Sequence, residues 1–577
     1  MKPVNLRKWK LRGEQPEAIQ AAELAQELNA QNLTAQVLLL RGIATAEQGI
    51  EFLQAKLSAL PDPDLLPDMA IACTRLEQAL VRGEKIAVHG DYDVDGITGC
   101  TLLVESLRAM GGQVEYHIPL RLKDGYGLSA DAIRQAKESG CSIVLSVDCG
   151  VSASNEADLA AELDLDLIIT DHHQPPDKLP VCLALVNPHL PVNRFPWVEL
   201  AGVGVAFFLL VGLRRRLREN NYFAARKEPD LRLGLDLVAL GTIADIVPLG
   251  GVNRILVRSG LQLLEAGRRP GVKALKRVAE VKQVSSGVVG FRLAPRLNAA
   301  GRLEDASLGV QLLLGENPQE VDPLAELLDG FNRERQKIEQ QTLAEAVAMV
   351  EEQTRPDRCS LVLARENWHS GVIGIVASRL VERYHRPTVL IALEGGQGKG
   401  SARSISGFNL YEALKEGAEF LAGFGGHAMA AGLSIMEENL ELFATAFEQV
   451  AASRLSIEDL IPVSSHDGEV SLSCFTLPLL RELETLNPYG AGNPQPVFIS
   501  RNCQVYAPRI LADKHLKFDV EQDGFRVACI AFGQAESFDL LAGKIDLLYR
   551  PGINLWRGKE SIQLQVVDIR AAGSESL

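Results

Sequence analysis

Between Lys85 and Gly96 the chain reads K-I-A-V-H-G-D-Y-D-V-D-G, a short apolar strand running into one histidine and three aspartates. Carboxylates crowded this closely repel one another and resist ionisation, so the cluster makes chemical sense chiefly around divalent cations. The layout recurs downstream. Ser142 to Val147 is an apolar strand ending in Asp148, and Leu165 to Thr170 is another ending in Asp171-His172-His173. A mostly helical segment, Leu235 to Ile243, then delivers Asp245 shortly before Pro248. In an open parallel α/β sheet ligands gather beyond the carboxyl ends of the strands, so residues far apart in sequence can meet in one crevice. A single aspartate at such a place is as readily a cap or a turn residue; the series points to a two-cation centre. Two ions about 3.5 to 4 Å apart can activate water for in-line attack on a phosphodiester and stabilise the departing oxygen, with no side-chain nucleophile.

The elements that must position these groups follow from patterning. Apolar runs at Ile86 to Val88, Val114 to His117, Ile143 to Val147, Leu167 to Thr170 and Leu183 to Val186 alternate with helices such as Ile97 to Met110. That alternation predicts an α/β domain with a parallel sheet covered on both faces, over residues 51–306. Residues 1–50 carry a basic start and an alanine-rich helical stretch near Ala18 to Gln31, with no evident chemistry. Asp322-Pro323 reads as a helix start, and Leu324, Leu327, Leu328, Phe331, Ile338, Leu343 and Val350 keep helical spacing. One connecting helix within 307–355, about 45 Å long at 1.5 Å per residue, is expected. A second α/β block follows over 356–455. From Asn502 to Ile569 the pattern changes to five short alternating strands, which suit a small barrel of the oligonucleotide-binding type within 456–577.

A chain of 577 residues exceeds what one hydrophobic core usually organises. Acidic side chains outnumber basic ones by 74 to 59, a net charge of −15, which argues against a nonspecific nucleic-acid coat. It does not exclude a nucleic-acid substrate, because carboxylates that hold cations count as negative yet present positive charge. The nine cysteines form no C-x-x-C pair, and those beside apolar runs, such as Cys141 and Cys182, read as buried thiols. With no apolar run of membrane-spanning length and no signal-peptide core at the start, a soluble cytoplasmic protein without a membrane partner is expected.

His89, Asp93, Asp95, Asp148, Asp171-His172-His173 and Asp245 resemble the motifs of the DHH phosphoesterases. Further motifs resemble the RecJ branch of that family: A-P-R-L-N-A-A-G-R (294–302), W-H-S-G-V-I-G-I-V-A-S-R (368–379), G-S-A-R-S (400–404), G-G-H-A-M-A-A-G (425–432) and N-P-Y-G-A-G-N-P (487–494). The resemblance runs from about residue 50 to the end. It implies that His89 and Asp93 hold one metal, that Asp95, His172 and Asp245 hold the other, and that Asp148 bridges. His173 then faces the phosphate, Asp171 orients His172 through its ring, and Asp91 acts similarly. Mixed carboxylate and imidazole donors favour two Mn²⁺ ions, with Mg²⁺ as the alternative.

For substrate, the resemblance implies contacts from Arg296, Asn298 and Arg302 in a small-residue loop, and from Trp368, His369, Arg379, Ser404, Gly426 and His427. Arg121, Ser401 and Arg403 would hold a 5′-terminal phosphate. On their residue types alone the arginines near 296 could instead pair with Glu304 or Asp305, and the glycine-flanked histidines could be turns. Lys514, His515, Lys517, Trp556, Arg557 and Lys559 would supply the barrel with basic and aromatic groups for strand binding. The activity implied is a metal-dependent exonuclease that degrades single-stranded DNA from its 5′ end in repair and recombination, with a single-strand-binding protein and a helicase as partners. The alternatives are a DHH phosphodiesterase for short oligoribonucleotides or cyclic dinucleotides, and a non-catalytic scaffold of a replication complex.

Overall fold

The strand runs are rich in β-branched and leucine residues on both faces, and they form a parallel sheet whose inner strands are covered on both faces while the edge strand Gln113–His117 is only half-buried. In the computed structural model, which describes residues 7–120, 127–352 and 358–574, its order is Gln113–His117, Lys85–Gly90, Ile143–Val147, Asp166–Thr170, Ala184–Val186. Gly90 pairs with Val147, and Val147 with Thr170. Residues 91, 148 and 171 therefore leave the sheet side by side at one edge, where a crevice can form. Val94–Ala109, Gly202–Glu219 and Leu235–Ala244 are helices whose Leu102, Leu103, Val205, Phe208, Leu209 and Leu240 are buried in one core with Val88 and Leu145.

The chain divides into two units. The larger comprises Pro16–Asn332 and Thr476–Pro496; the smaller comprises Met1–Gln15, Arg333–Phe475 and Val497–Leu577. Residues 1–50 are thus not a segment of their own. Lys8–Leu11 forms a strand parallel to Val463–His466 in the smaller unit, and the helices Ala18–Leu28 and Asn32–Leu39 belong to the larger. The expected C-terminal block is likewise interrupted, since residues 476–496 pack with the larger unit.

The smaller unit holds a mixed sheet in the order Leu421–Gly426, Ala430–Met436, Gln397–Arg403, Thr388–Glu394, Leu361–Glu366, and a closed five-stranded barrel. The barrel strands Phe498–Leu511, Lys544–Trp556 and Lys559–Ala571 are 14, 13 and 13 residues long, not short. Register shifts between Tyr506 and Arg509, and between Ser500 and Cys503, bend the first of them so that one strand pairs on two sides of the barrel. The long helix is present but starts earlier than expected, running Pro318–Glu352. Pro323 lies inside it, in the second turn, where its missing N–H leaves the Gln319 carbonyl without its i→i−4 donor. Among the described residues no helix is long and apolar enough to cross a membrane.

Candidate metal centre

Each acidic group at the sheet edge is held by backbone donors that the local sequence supplies. Asp93 caps the helix Val94–Ala109, its Oδ1 accepting from the amides of Asp95 at 2.9 Å and Gly96 at 3.2 Å. Asp95, in the first turn, accepts from Gly202 N at 2.6 Å and Val203 N at 2.9 Å. These are the first amides of the helix Gly202–Glu219, whose terminus favours negative charge. Asp148 sits in the left-handed region at φ +62, a strained conformation at the end of its strand. Its neighbour is again Gly202, where an added Cβ would fall 2.6 Å from the Asp148 Cβ. Glycine is needed there for close approach.

The side chains converge. His172 Nε2 lies 3.1 Å from Asp148 Oδ1, 3.6 Å from Asp245 Oδ2 and 3.8 Å from Asp95 Oδ2. Three sets have donor atoms within 4.8 Å of one another: Asp95, His172 and Asp245; Asp91, Asp93 and Asp148; Asp148, His172 and His173. Burial, then the charge of Asp93, pushes Asp95 and Asp91 each up to about 7, and burial with Asp95 pushes Asp245 up to about 8. Asp148, fully buried among four other aspartates, is raised well above the carboxylate range. Burial lowers His172 to about 4, so the ring is neutral, and it hydrogen-bonds the Leu200 carbonyl. Its buried Nε2 makes no hydrogen bond, nor does Asp148 Oδ1. A neutral ring nitrogen turned toward three carboxylates is repulsive unless a cation lies among them. The donor set therefore fits divalent metal.

Two expectations change. Asp171 does not orient His172: its Oδ1 takes a 2.7 Å hydrogen bond from His173 Nδ1, while it also accepts from the amides of Val151, His172 and His173. The carboxylate is wrapped by its own turn, and only the ring two residues on can fold back to it. Although burial opposes it, this bond pushes His173 up to about 9, and its ring lies within the donor set that includes Asp148. His89 lies outside the three sets; its Nε2 is 3.1 Å from Gly127 O and its ring stacks on His117. Asp91 stands where His89 was expected, so any ligation by His89 would go through Nδ1.

The residues expected at the substrate separate into three kinds. Arg121 lies outside the described residues. Ala294–Leu303 is a helix, not a loop, because its alanines and Gly301 let it pack onto Tyr92, whose carbonyl would lie 2.7 Å from a Cβ at Gly301. Its Asn298 accepts from Val94 N at 3.1 Å and so braces the first aspartate turn, and its Arg296 pairs with Asp329 rather than with Glu304 or Asp305. Arg302 is half-buried on the same helix. Trp368 is buried with its Nε1 on Glu345, and Ser404 is buried with its hydroxyl on Phe408 O. Arg379 is exposed and paired with Glu339 and Glu382.

Ser401 and Arg403, two residues apart on one strand, share a face. Arg403 Nη1 donates to Ser401 Oγ at 3.2 Å, and both lie against Gly374, where a Cβ would meet Ser401 Oγ at 2.8 Å and Arg403 Nη2 at 3.0 Å. Gly374 lies in the first turn of the helix Ile373–Tyr384, so a guanidinium and a hydroxyl are grouped with a helix N-terminus. His369 Nδ1 accepts from Gly371 N just ahead of that helix. Gly426, at φ +142, shapes the tip that leaves His427 exposed. Sequence reasoning passed over Gly202 and Val203; the signal was A-G-V-G-V opening a long apolar helix.

Family models match in the order of these elements: the DHH family N-terminal domain over residues 85–242, the DHHA1 domain over 357–453 and the RecJ OB domain over 466–568. The RecJ single-stranded-DNA-specific exonuclease of Dickeya dadantii is 40% identical over 542 residues, covering 90% of this chain and 94% of that one. The chain belongs to the RecJ family. The Bacillus subtilis RecJ is 38% identical over 576 residues, 98% of this chain and 71% of that protein. The crystal structure of Thermus thermophilus RecJ with Mn²⁺ has a TM-score of 0.84 and 32% identity, covering 98% of this chain and 79% of that one. A Mg²⁺ complex of the same RecJ also matches, with a TM-score of 0.78.

Proposed function

We propose that this RecJ-family chain is a divalent-metal-dependent exonuclease that hydrolyses single-stranded DNA from a 5′ end. The observation that carries the reading is the convergence of Asp95, Asp148, His172 and Asp245 around a histidine nitrogen that makes no hydrogen bond. Two divalent ions held there would supply an activated water and neutralise charge on the phosphodiester oxygens. We assign Asp95, His172 and Asp245 to one ion and Asp91, Asp93 and His89 to the other, with Asp148 shared. The imidazole donor favours Mn²⁺ over Mg²⁺, which prefers oxygen shells.

The protein's own groups do the rest. Gly202 and Val203 amides fix the Asp95 carboxylate before metal arrives, and the Leu200 carbonyl fixes the His172 ring. His173, oriented by its hydrogen bond to Asp171, would offer a ring N–H to a non-bridging phosphate oxygen. Ser401, Arg403 and the amides at Gly374 would hold a terminal phosphate, which carries more charge than an internal diester. On the barrel, exposed Trp556 lies under Arg557 and exposed Phe532 meets His515 edge-on, which suits stacking of unpaired bases.

One oligonucleotide labelled at both ends tests the polarity. Products should shorten from the 5′ end, and Arg403→Ala should erode the preference for 5′-phosphate over 5′-hydroxyl by roughly 10-fold or more, since a charge-assisted contact is lost. Mn²⁺ affinity should stay unchanged. Shortening from the 3′ end, or an equal slowing of both substrates, would sink the end-recognition role while leaving the metal chemistry standing.

A further inference from the structure

The N-P-Y-G-A-G-N-P motif lies far from the metal ligands in sequence and contributes no ligand, yet it packs against the turn that carries one. Asp245 ends the helix Leu235–Ala244, after which the chain reverses through Ile246 at φ +63, an unfavourable conformation for a β-branched residue. The turn is held from within by Asp245 N to Gly241 O at 2.9 Å and Ile246 N to Ile243 O at 3.3 Å, and from outside as well. Its Leu249 amide donates to Ala491 O at 2.8 Å, and Pro248 O accepts from Asn253 Nδ2 at 3.0 Å. Contact with the motif is close: a Cβ at Gly492 would lie 2.9 Å from Pro248 Cβ and 3.3 Å from its Cα. Gly492 also has φ +67, so any side chain there is strained as well as crowded.

The motif is itself anchored. Gly490 and Asn493 exchange backbone hydrogen bonds of 2.9 and 3.2 Å. The buried Asn493 amide donates to Leu486 O and Pro488 O, while its Oδ1 accepts from Arg41 Nη1 at 2.6 Å. Arg254, buried to 1% exposure, donates to Leu486 O and Thr485 O, its guanidinium 3.7 Å from the Phe52 ring centroid. On the other side Ser286 donates its hydroxyl to Tyr489 O. Ser286 starts the helical run that leads into Ala294–Leu303, whose Asn298 holds the Val94 amide. One rigid loop thus touches the Asp245 turn and the segment leading to the support of the first aspartate turn.

We propose that the loop Asn487 to Pro494 is a positioning element of the metal centre, setting how tightly the ion served by Asp245 is held. The proposal rests on the metal-centre reading above. Gly492→Ala should raise the Mn²⁺ concentration for half-maximal cleavage by about 10-fold, the size of loss typical when support of a ligand is removed. At saturating Mn²⁺ the rate should recover to within about 2-fold of wild type, and binding of a single strand in EDTA should not change. Gly490→Ala meets only the flexible Leu249 side chain, Cδ1 at 2.6 Å and Cγ at 3.3 Å, and should shift the metal requirement less. Should Gly492→Ala fail to fold, Arg41→Met loosens the loop without adding a Cβ and should move the Mn²⁺ requirement in the same direction. A wild-type Mn²⁺ requirement in the folded variants would overturn the proposal, whether thermal stability or strand affinity fell instead. Asp245→Asn separates the two ideas: if it leaves the Mn²⁺ requirement unchanged, the metal-centre reading fails; if it raises the requirement and Gly492→Ala does not, the loop alone has been misread.

Discussion

Asp148→Asn is expected to lower the rate of single-strand cleavage by roughly 1,000-fold or more, since it removes a carboxylate that belongs to two of the three donor sets. Asparagine keeps the volume and tolerates the left-handed backbone that Asp148 adopts, so the loss would be chemical and not conformational. The opposite effect on stability is predicted. Burial and four neighbouring aspartates hold Asp148 well above the carboxylate range, so without metal its ionised form opposes folding. For a raised acid of this kind the destabilisation is present once pH exceeds the unfolded value of about 4 and grows until the folded group ionises. In EDTA near pH 8 the variant should therefore melt no lower than wild type. Cleavage at saturating Mn²⁺ within 10-fold of wild type would refute the shared-ligand assignment.

Gly202→Ala is predicted to be nearly as damaging, although Gly202 is not itself a ligand. Its methyl would lie 2.6 Å from Asp148 Cβ and 2.9 Å from both Asp148 Cα and Oδ1, and a main chain already strained cannot yield cheaply. The helix N-terminus must retreat, and the Gly202 and Val203 amides then leave Asp95. Activity should fall about 100-fold with weakened Mn²⁺ binding, and stability by about 1 to 3 kcal/mol, as overpacking usually costs. Gly204→Ala provides a matched control, because a Cβ there would make only an ordinary 3.6 Å contact with Leu200. Equal activity of the two variants would show that the close approach to Asp148 does not matter.

How much of this was legible in the sequence differs by the range of the interaction. Strand ends carrying Asp148 and Asp171 were readable because a parallel sheet puts consecutive strand ends at one edge, and the register of Gly90, Val147 and Thr170 does so here. The three donor sets contain every expected ligand except His89. Which ring Asp171 would hold was not readable, since that choice depends on a turn in which three amides wrap one carboxylate. The run 294–302 looked like a loop because small residues make up much of it. It is a helix because Pro295 sits in the first turn and Gly301 is where Tyr92 approaches. Trp368 and Ser404 carried the resemblance but not the partners that satisfy their polar atoms, Glu345 and Phe408 O. The packing of 476–496 with the larger unit is a long-range docking event that no local pattern encodes.

The central claim, that cleavage depends on a pair of divalent ions around Asp148, is tested most directly by titrating the metal-free protein with Mn²⁺. Bound ions are followed by electron paramagnetic resonance while cleavage of a 5′-labelled single strand is measured on the same samples. Two ions per chain should bind, a spin-coupled pair should appear, and the rate should follow the pair and not the first ion. Full cleavage with one ion bound, or cleavage that persists in EDTA, would contradict the account.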